Sequence, residues 1–101
     1  MDDMLTLIAE RYEQNEIGAY IAQEISHDVW VRLESISRGE WYQAGVAGLQ
    51  PEVVAITNAA NYNGEKLAEL RGKRYAIYRT YRLADSDEIE LYLAEQVGVR
   101  Q

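Results

Sequence analysis

A chain of 101 residues with ordinary globular composition has room for one domain built on a single modest core. Its formal net charge of −7 disfavours stable binding to nucleic acid, because such binding requires clustered Lys and Arg side chains that neutralise phosphates. The absence of cysteine excludes disulfides, thiolate zinc sites and thiol nucleophiles, and it fits a reducing cytoplasm. Residues 1–13 include several acidic side chains, so we expect neither a signal peptide nor a membrane span.

The aromatic residues are eight Tyr and two Trp, with no Phe. Every aromatic ring therefore carries a polar atom, which suits a half-exposed position or a surface that is buried on assembly. The same rings also pack well on the faces of β-strands. The composition leaves both interpretations open.

The first part of the chain predicts two strands. Residues 5–12 have a mixed but extended pattern, residues 15–18 supply a turn, and a second extended stretch covers about residues 20–37. Its clearest part is residues 27–36, where apolar and polar side chains alternate. The apolar set, which we expect to face the core, is Val29, Val31 and Leu33.

A short helix should follow the second strand. Ser37 is a favourable N-cap, and Glu40 lies three residues later, as in a capping box, which predicts a short helix that follows Ser37 and continues through residues 41–44. Gly45 and Gly48 should end this helix. Residues 45–51 contain two glycines and the chain's proline, so they predict a mobile connection to the third strand.

Residues 52–60 resume the extended pattern. The pair Asn63-Gly64 is preferred in type I′ turns, so the third strand should fold back onto a short fourth strand over residues 65–70. Arg71-Gly72 predicts the next turn.

The last two strands are predicted over residues 73–82 and 88–96, joined by a turn at 83–87. In the strand over residues 73–82, alternation places four residues on one face: Tyr75, Ile77, Arg79 and Tyr81. In the strand over residues 88–96, the residues that we expect to face inward are Ile89, Leu91 and Leu93. About six strands with short connections predict a mainly β fold, a small antiparallel barrel over residues 1–101 with a helix or loop inserted between its second and third strands.

Few residues indicate chemistry. His27 lacks a second His, a Cys or a cluster of carboxylates, so we expect a residue at the strand end and on the surface, not a ligand. Four acidic residues crowd one turn without the spacing of a calcium loop: Asp85, Asp87, Glu88 and Glu90. No nucleophile elbow, phosphate loop or carboxylate dyad is recognisable, so we expect neither an enzyme nor a cofactor or metal.

The fifth predicted strand and its preceding turn are basic, whereas the last strand is acidic. The basic set is Arg71, Lys73, Arg74, Arg79 and Arg82. We expect these charges to pair across the hairpin, each exposed pair adding at most about 1 kcal/mol. The alternative is a basic patch that binds phosphate.

The chain resembles the tailed-phage head-tail joining family, also called head-closure or stopper proteins. Four ordered stretches carry the resemblance: SISRGEWYQAG (35–45), GLQPE (48–52), GKRYAIYRTY (72–81) and EIELY (88–92). They span nearly the whole chain. Gly39 departs from the family, which often has a bulkier or polar residue there, and Trp41 stands where another aromatic is common.

The resemblance implies a non-enzymatic connector subunit of a virion neck, made in the cytoplasm of the bacterial host. It implies a ring, commonly of twelve copies, between a portal or adaptor protein above and a tail protein below, with transient contact to packaged DNA and none to a membrane. The connection between the second and third strands would help close the DNA channel, and its candidate residues are Arg38, Glu40, Trp41, Tyr42, Gly45, Gly48 and Leu49. Candidate contacts with other subunits are Arg74, Tyr78, Arg79, Arg82, Asp87, Glu88, Glu90 and Tyr92.

Three alternatives stay open. Trp41 and Tyr42 could cap the barrel as part of its core. The protein could be a small-barrel adaptor that binds a peptide or a host protein. It could also be an enzyme with an unfamiliar site, which would need a pocket of convergent polar groups.

Overall fold

The computed structural model describes residues 2–82 and 84–95. In chain order its elements are β1 (Asp2–Gln14), β2 (Tyr20–Glu34), α1 (Arg38–Val46), β3 (Pro51–Asn58), a 3-10 helix (Ala59–Asn61), β4 (Leu67–Leu70), β5 (Lys73–Arg82) and β6 (Glu88–Glu95). The strands form a closed antiparallel barrel in the order β1-β2-β3-β6-β5-β4. This confirms the predicted mainly β fold with a helix between β2 and β3. Met1, Leu83 and Gln96, which belong to predicted segments, lie outside the described residues.

The core of the barrel lies where the alternating pattern predicts it. Four leucines are fully buried: Leu5, Leu7, Leu91 and Leu93. Val29 and Val31 are buried beside them, and the other predicted inward residues, Leu33 and Ile89, are partly buried against this cluster. Each lies on the inner face of its strand, because neighbouring side chains in a strand point to opposite faces.

The predicted hairpin at Asn63-Gly64 is wrong. Both edges of β3 are occupied, one by β2 and the other by β6, so no edge is left for β4. The chain instead crosses one end of the barrel, and β4 pairs with β1 and β5. Tyr62 packs against the core in this crossing, and its hydroxyl donates a hydrogen bond to the Glu65 carbonyl at 2.7 Å.

The tight hairpin turn lies at Arg71-Gly72 instead. Leu70 and Lys73 are paired across this two-residue loop. Arg71 has a φ of 53° and Gly72 a φ of 80°. Positive φ at both central positions is what a type I′ turn requires, so the predicted turn at this place is confirmed.

A β-bulge alters the predicted faces of β5. The pairing of β5 with β6 shifts between Ile77 and Arg79, which leaves Tyr78 as the extra residue. Tyr75 and Ile77, which the alternation places on one face, are both buried. Beyond the bulge the alternation reverses, so that Arg79 and Tyr81 turn to the outer surface and do not share the inner face with them.

The β1–β2 hairpin extends beyond the barrel. β4 covers residues 5–8 of β1, and β3 pairs with residues 32–34 of β2. Residues 9–14 and 20–25 pair with each other, and no other described strand pairs with them. We call residues 9–25 the arm. Its projection fits the overall dimensions of 50 × 32 × 25 Å.

Candidate interaction surfaces

α1 begins as the sequence predicts and is tied to the barrel by its first turn. The Ser37 side-chain oxygen accepts a hydrogen bond from the backbone N–H of Glu40 at 3.1 Å. The Glu40 carboxylate turns to the barrel wall, where it accepts hydrogen bonds from the Tyr78 hydroxyl at 2.7 Å and the Arg79 guanidinium at 2.5 Å. Glu40 therefore anchors α1 to β5.

The end of α1 corrects the predicted mobile connection. Gly45 lies inside the helix, which ends at Val46. Gly48 follows with a φ of +82°, and its N–H donates to the Gly45 carbonyl at 3.0 Å, while the Leu49 N–H donates to the Ala44 carbonyl at 2.9 Å. These two bonds form a Schellman cap, in which a glycine supplies the left-handed residue. The irregular connection is thus only residues 47–50.

Five predicted site residues meet in one group, which we call the Glu40 cluster: Glu40, Tyr78, Arg79, Glu90 and Tyr92. The Arg79 guanidinium lies 4.0 Å from the centre of the Tyr92 ring, a cation–π distance. The Tyr92 hydroxyl donates to the Glu90 carboxylate at 2.7 Å. The Tyr78 and Tyr92 rings meet edge to face with centroids 6.2 Å apart. The sequence had divided these residues between a closure loop and a partner surface.

At neutral pH, Glu40 and Arg79 of the Glu40 cluster are charged and the Tyr78 hydroxyl is neutral. The hydrogen bond from Arg79 holds the pKa of Glu40 below its ordinary value, and Glu40 in turn raises the pKa of Arg79. Burial, together with donation to Glu40, raises the pKa of the Tyr78 hydroxyl. The cluster therefore contains an ionised pair and neutral phenols, which suits a structural fastening more than proton transfer.

α1 turns its largest apolar side chains away from its own barrel. Trp41 is 58% exposed, Tyr42 72% and Val46 82%. Together with Arg38 they recur at helical spacing and form one exposed stripe, which we call the outer stripe of α1. The buried residue of the helix is Ala44. The alternative that Trp41 and Tyr42 belong to the barrel core is therefore wrong.

The arm is a second exposed apolar surface. Its large apolar side chains are all exposed: Tyr12 and Tyr20 on one face of the hairpin, Ile21 and Ile25 on the other, and Ile17 in the turn. It carries four acidic residues against one basic residue (1 − 4 = −3): Glu10, Glu13, Glu16 and Glu24 against Arg11. This surface was not predicted from the sequence. The alternation of residues 20–25 is weak, and the predicted second strand is unusually long for a barrel of this size; together these features could have indicated an extension beyond the barrel.

The basic residues of β5 mostly find partners outside β6. Arg74 makes a two-fold contact with Glu24 at the base of the arm, at 2.9 and 3.3 Å. In the described residues, Lys73 pairs with Glu95 of β6 at 3.3 Å, as predicted. Across β5 and β6, however, Arg79 lies opposite Tyr92. Because register sets such partners, the predicted charge ladder forms only at this one end among the described residues.

The remaining predicted contacts lie apart from the Glu40 cluster. Glu88 pairs with Arg32 of β2 at 3.2 Å. The Arg82 side chain donates to the Ser86 carbonyl at 3.4 Å. Asp87 is exposed in the same β5–β6 turn. These residues form no common site with the outer stripe of α1.

His27 lies within β2 at the rim of the barrel, not at a strand end. Its side chain is partly exposed, with Nε2 3.1 Å from the Asn61 carbonyl and Nδ1 3.8 Å from the buried Glu65 carboxylate. Residues 2–82 and 84–95 contain no group of three His, Cys, Asp or Glu that could hold a metal ion. Within the same ranges, no helix is long and apolar enough to cross a membrane.

No protein-family model matches the chain. A search of curated proteins likewise finds no match.

Proposed function

We propose that this protein is a structural connector subunit of a phage or prophage neck, which joins the portal or adaptor of a DNA-filled head to the tail. The observation that carries the proposal is a pair of exposed apolar surfaces, the arm and the outer stripe of α1, on one small acidic barrel. Apolar patches that stay exposed in a soluble chain mark contacts with other molecules. A subunit covered on two sides fits a multi-component assembly.

The position of α1 supports a role near a channel. α1 buries one residue, Ala44, and is fastened mainly by the Glu40 cluster. An element with so little apolar burial can shift at low cost when neighbours dock. Residues 38–51 therefore remain our candidate for the segment that helps close the channel. The net charge of −7 would let DNA pass without adhering.

A complementation experiment tests the proposal. Inactivating the gene in its phage or prophage should give DNA-filled heads that lose DNA or lack tails. Wild-type protein should restore infectious particles, whereas a Trp41→Ala and Tyr42→Ala double variant should not. Substitution is preferable to deletion of residues 45–49, because those residues contain the last helical turn and its cap.

The matched control is Trp30→Ala, which removes a similarly exposed Trp from the barrel wall. It should restore particles as well as the wild type does. Circular dichroism of each purified variant should show an intact barrel. A normal yield of infectious particles without this chain would contradict the connector function.

A second candidate function is an adaptor that binds an extended peptide. A groove of about 280 Å³ follows the open edge of β1, between Tyr12 of the arm and Leu67 of β4. A peptide strand could pair with such an edge. Neighbouring genes for portal, capsid and tail proteins would favour the connector. Their absence, together with peptide binding in the groove, would favour the adaptor.

A further inference from the structure

The arm and the outer stripe of α1 belong to different elements of the fold. The arm continues β1 and β2, whereas Glu40 fastens α1 to β5. In the closed strand order, the β1–β2 wall lies across the barrel from the β6–β5 wall. Both surfaces are exposed in the folded chain, so neither covers the other, although each needs a cover.

We propose that the arm of one copy lies on the outer stripe of α1 of the next copy. This inference deepens the proposed function, on which its ring depends, by naming the surfaces that join one subunit to another. Such a contact is heterologous, since each copy supplies a different surface to each neighbour. Repeated with a rotation that closes, it forms a ring in which each copy gives its arm to one neighbour and its outer stripe of α1 to the other.

Charge favours a second copy in this orientation. The arm has a net charge of −3, so two arms would repel each other in a symmetric contact. The outer stripe of α1 begins with Arg38, for which no carboxylate lies within ion-pair distance among the described residues. An acidic and apolar arm is thus complementary to an apolar stripe that begins with a cation.

The arm is also held in place before it meets a partner. The contact of Arg74 with Glu24 joins the arm to the barrel at its base. The Asn15 side chain accepts hydrogen bonds from the N–H groups of Ile17 and Ala19, which orders the tip. An ordered surface loses less conformational entropy on association than a loose one does.

Cysteine crosslinking tests the contact directly, because the chain has no cysteine of its own. The Tyr20→Cys and Tyr42→Cys proteins are purified separately, mixed and oxidised. The mixed disulfide joins position 20 of one copy to position 42 of another. It should exceed either symmetric disulfide by about tenfold, which corresponds to a preference of about 1.4 kcal/mol for the proposed orientation. A dominant symmetric product, or no mixed product at about millimolar protein, would overturn the proposal.

Self-association of the full chain is then measured by analytical ultracentrifugation. Trp41→Ala should weaken it by about thirtyfold, the loss typical of a central aromatic contact residue. Trp30→Ala, which alters a Trp that is 67% exposed but outside both surfaces, should leave it unchanged. Equal effects of the two substitutions would contradict the assigned surfaces.

A shortened arm gives a further variant. Removing residues 11–14 together with 20–23 deletes four complete cross-strand pairs and keeps both the turn and the Glu24 contact with Arg74. The barrel should fold normally, but the copies should not associate. Rings formed by this variant in particles would overturn the inference and leave the connector function standing. If the crosslink forms as proposed but the protein is absent from the neck, the contact between copies stands and the connector function is overturned.

Discussion

Glu40 accepts hydrogen bonds from Tyr78 and Arg79, and its side chain is only 13% exposed. α1 has a single buried residue, Ala44, and contributes little apolar packing to the barrel. The Schellman cap at Gly48 and the Ser37 cap stabilise the helix itself but do not dock it. The position of α1 on the wall therefore depends strongly on one carboxylate.

Replacing Glu40 by Gln should loosen α1. The variant keeps the shape of the side chain but loses the charge that Arg79 faces, so the free energy of unfolding should fall by about 1–2 kcal/mol. Urea denaturation followed by fluorescence measures this change. Glu34→Gln, which alters an exposed ion pair with Arg32, serves as the control and should have a much smaller effect. Equal losses would contradict the anchoring role of Glu40.

The stabilities of the wild type and the Glu40→Gln variant should also differ in their dependence on pH. The pKa of Glu40 is lowered in the folded state, so its contribution is fully present above the unfolded value near 4.5 and is lost as pH falls through the lower folded pKa. The difference in unfolding free energy between wild type and Glu40→Gln should therefore shrink below pH 4.5. Asp3 and Glu24 also have lowered pKa values, but they titrate in both proteins. A difference that stays constant down to pH 3 would contradict the assignment.

Two glycines near the end of α1 should respond to Ala substitution with opposite signs. Gly45 lies inside the helix with open space around its Cβ position, so Gly45→Ala should stabilise the protein by up to about 1 kcal/mol. Gly48 also has open space but a φ of +82°, so Gly48→Ala should destabilise it by about 1 kcal/mol. Thermal denaturation measures both. Effects of the same sign would contradict the helix end described above.

The elements that local patterns define were predictable from the sequence. Alternation located the core of β2 and β6, and Ser37 located the start of α1. Asn63-Gly64 gave the wrong partner for β3 because a turn signal does not reveal whether the strand edges are already occupied. The sequence therefore predicted strand number better than strand order.

The candidate site was only partly predictable, for two physical reasons. The bulge at Tyr78 moves Arg79 to the outer face, and a bulge depends on pairing with β6 that no local pattern contains. The arm emerges because β4 is only four residues long and leaves most of β1 uncovered. Both features depend on strand register, which is set by tertiary contacts.

The net charge of −7 leads to a prediction about DNA. If the protein lines or approaches a channel, it must let duplex DNA slide without holding it. Fluorescence anisotropy with a short labelled duplex should show no binding tighter than about 100 μM at physiological salt. Tighter, salt-dependent binding would indicate that the cations of β5 form a phosphate-binding patch, the alternative that the sequence left open.

The proposed connector function is tested most directly in the assembled particle. Electron cryomicroscopy of intact particles, with wild-type protein, shows at once whether this chain is present, in how many copies and between which neighbours. We expect a ring of this barrel between the head and the tail, with residues 38–51 towards the channel. A neck structure complete without this chain would contradict the account.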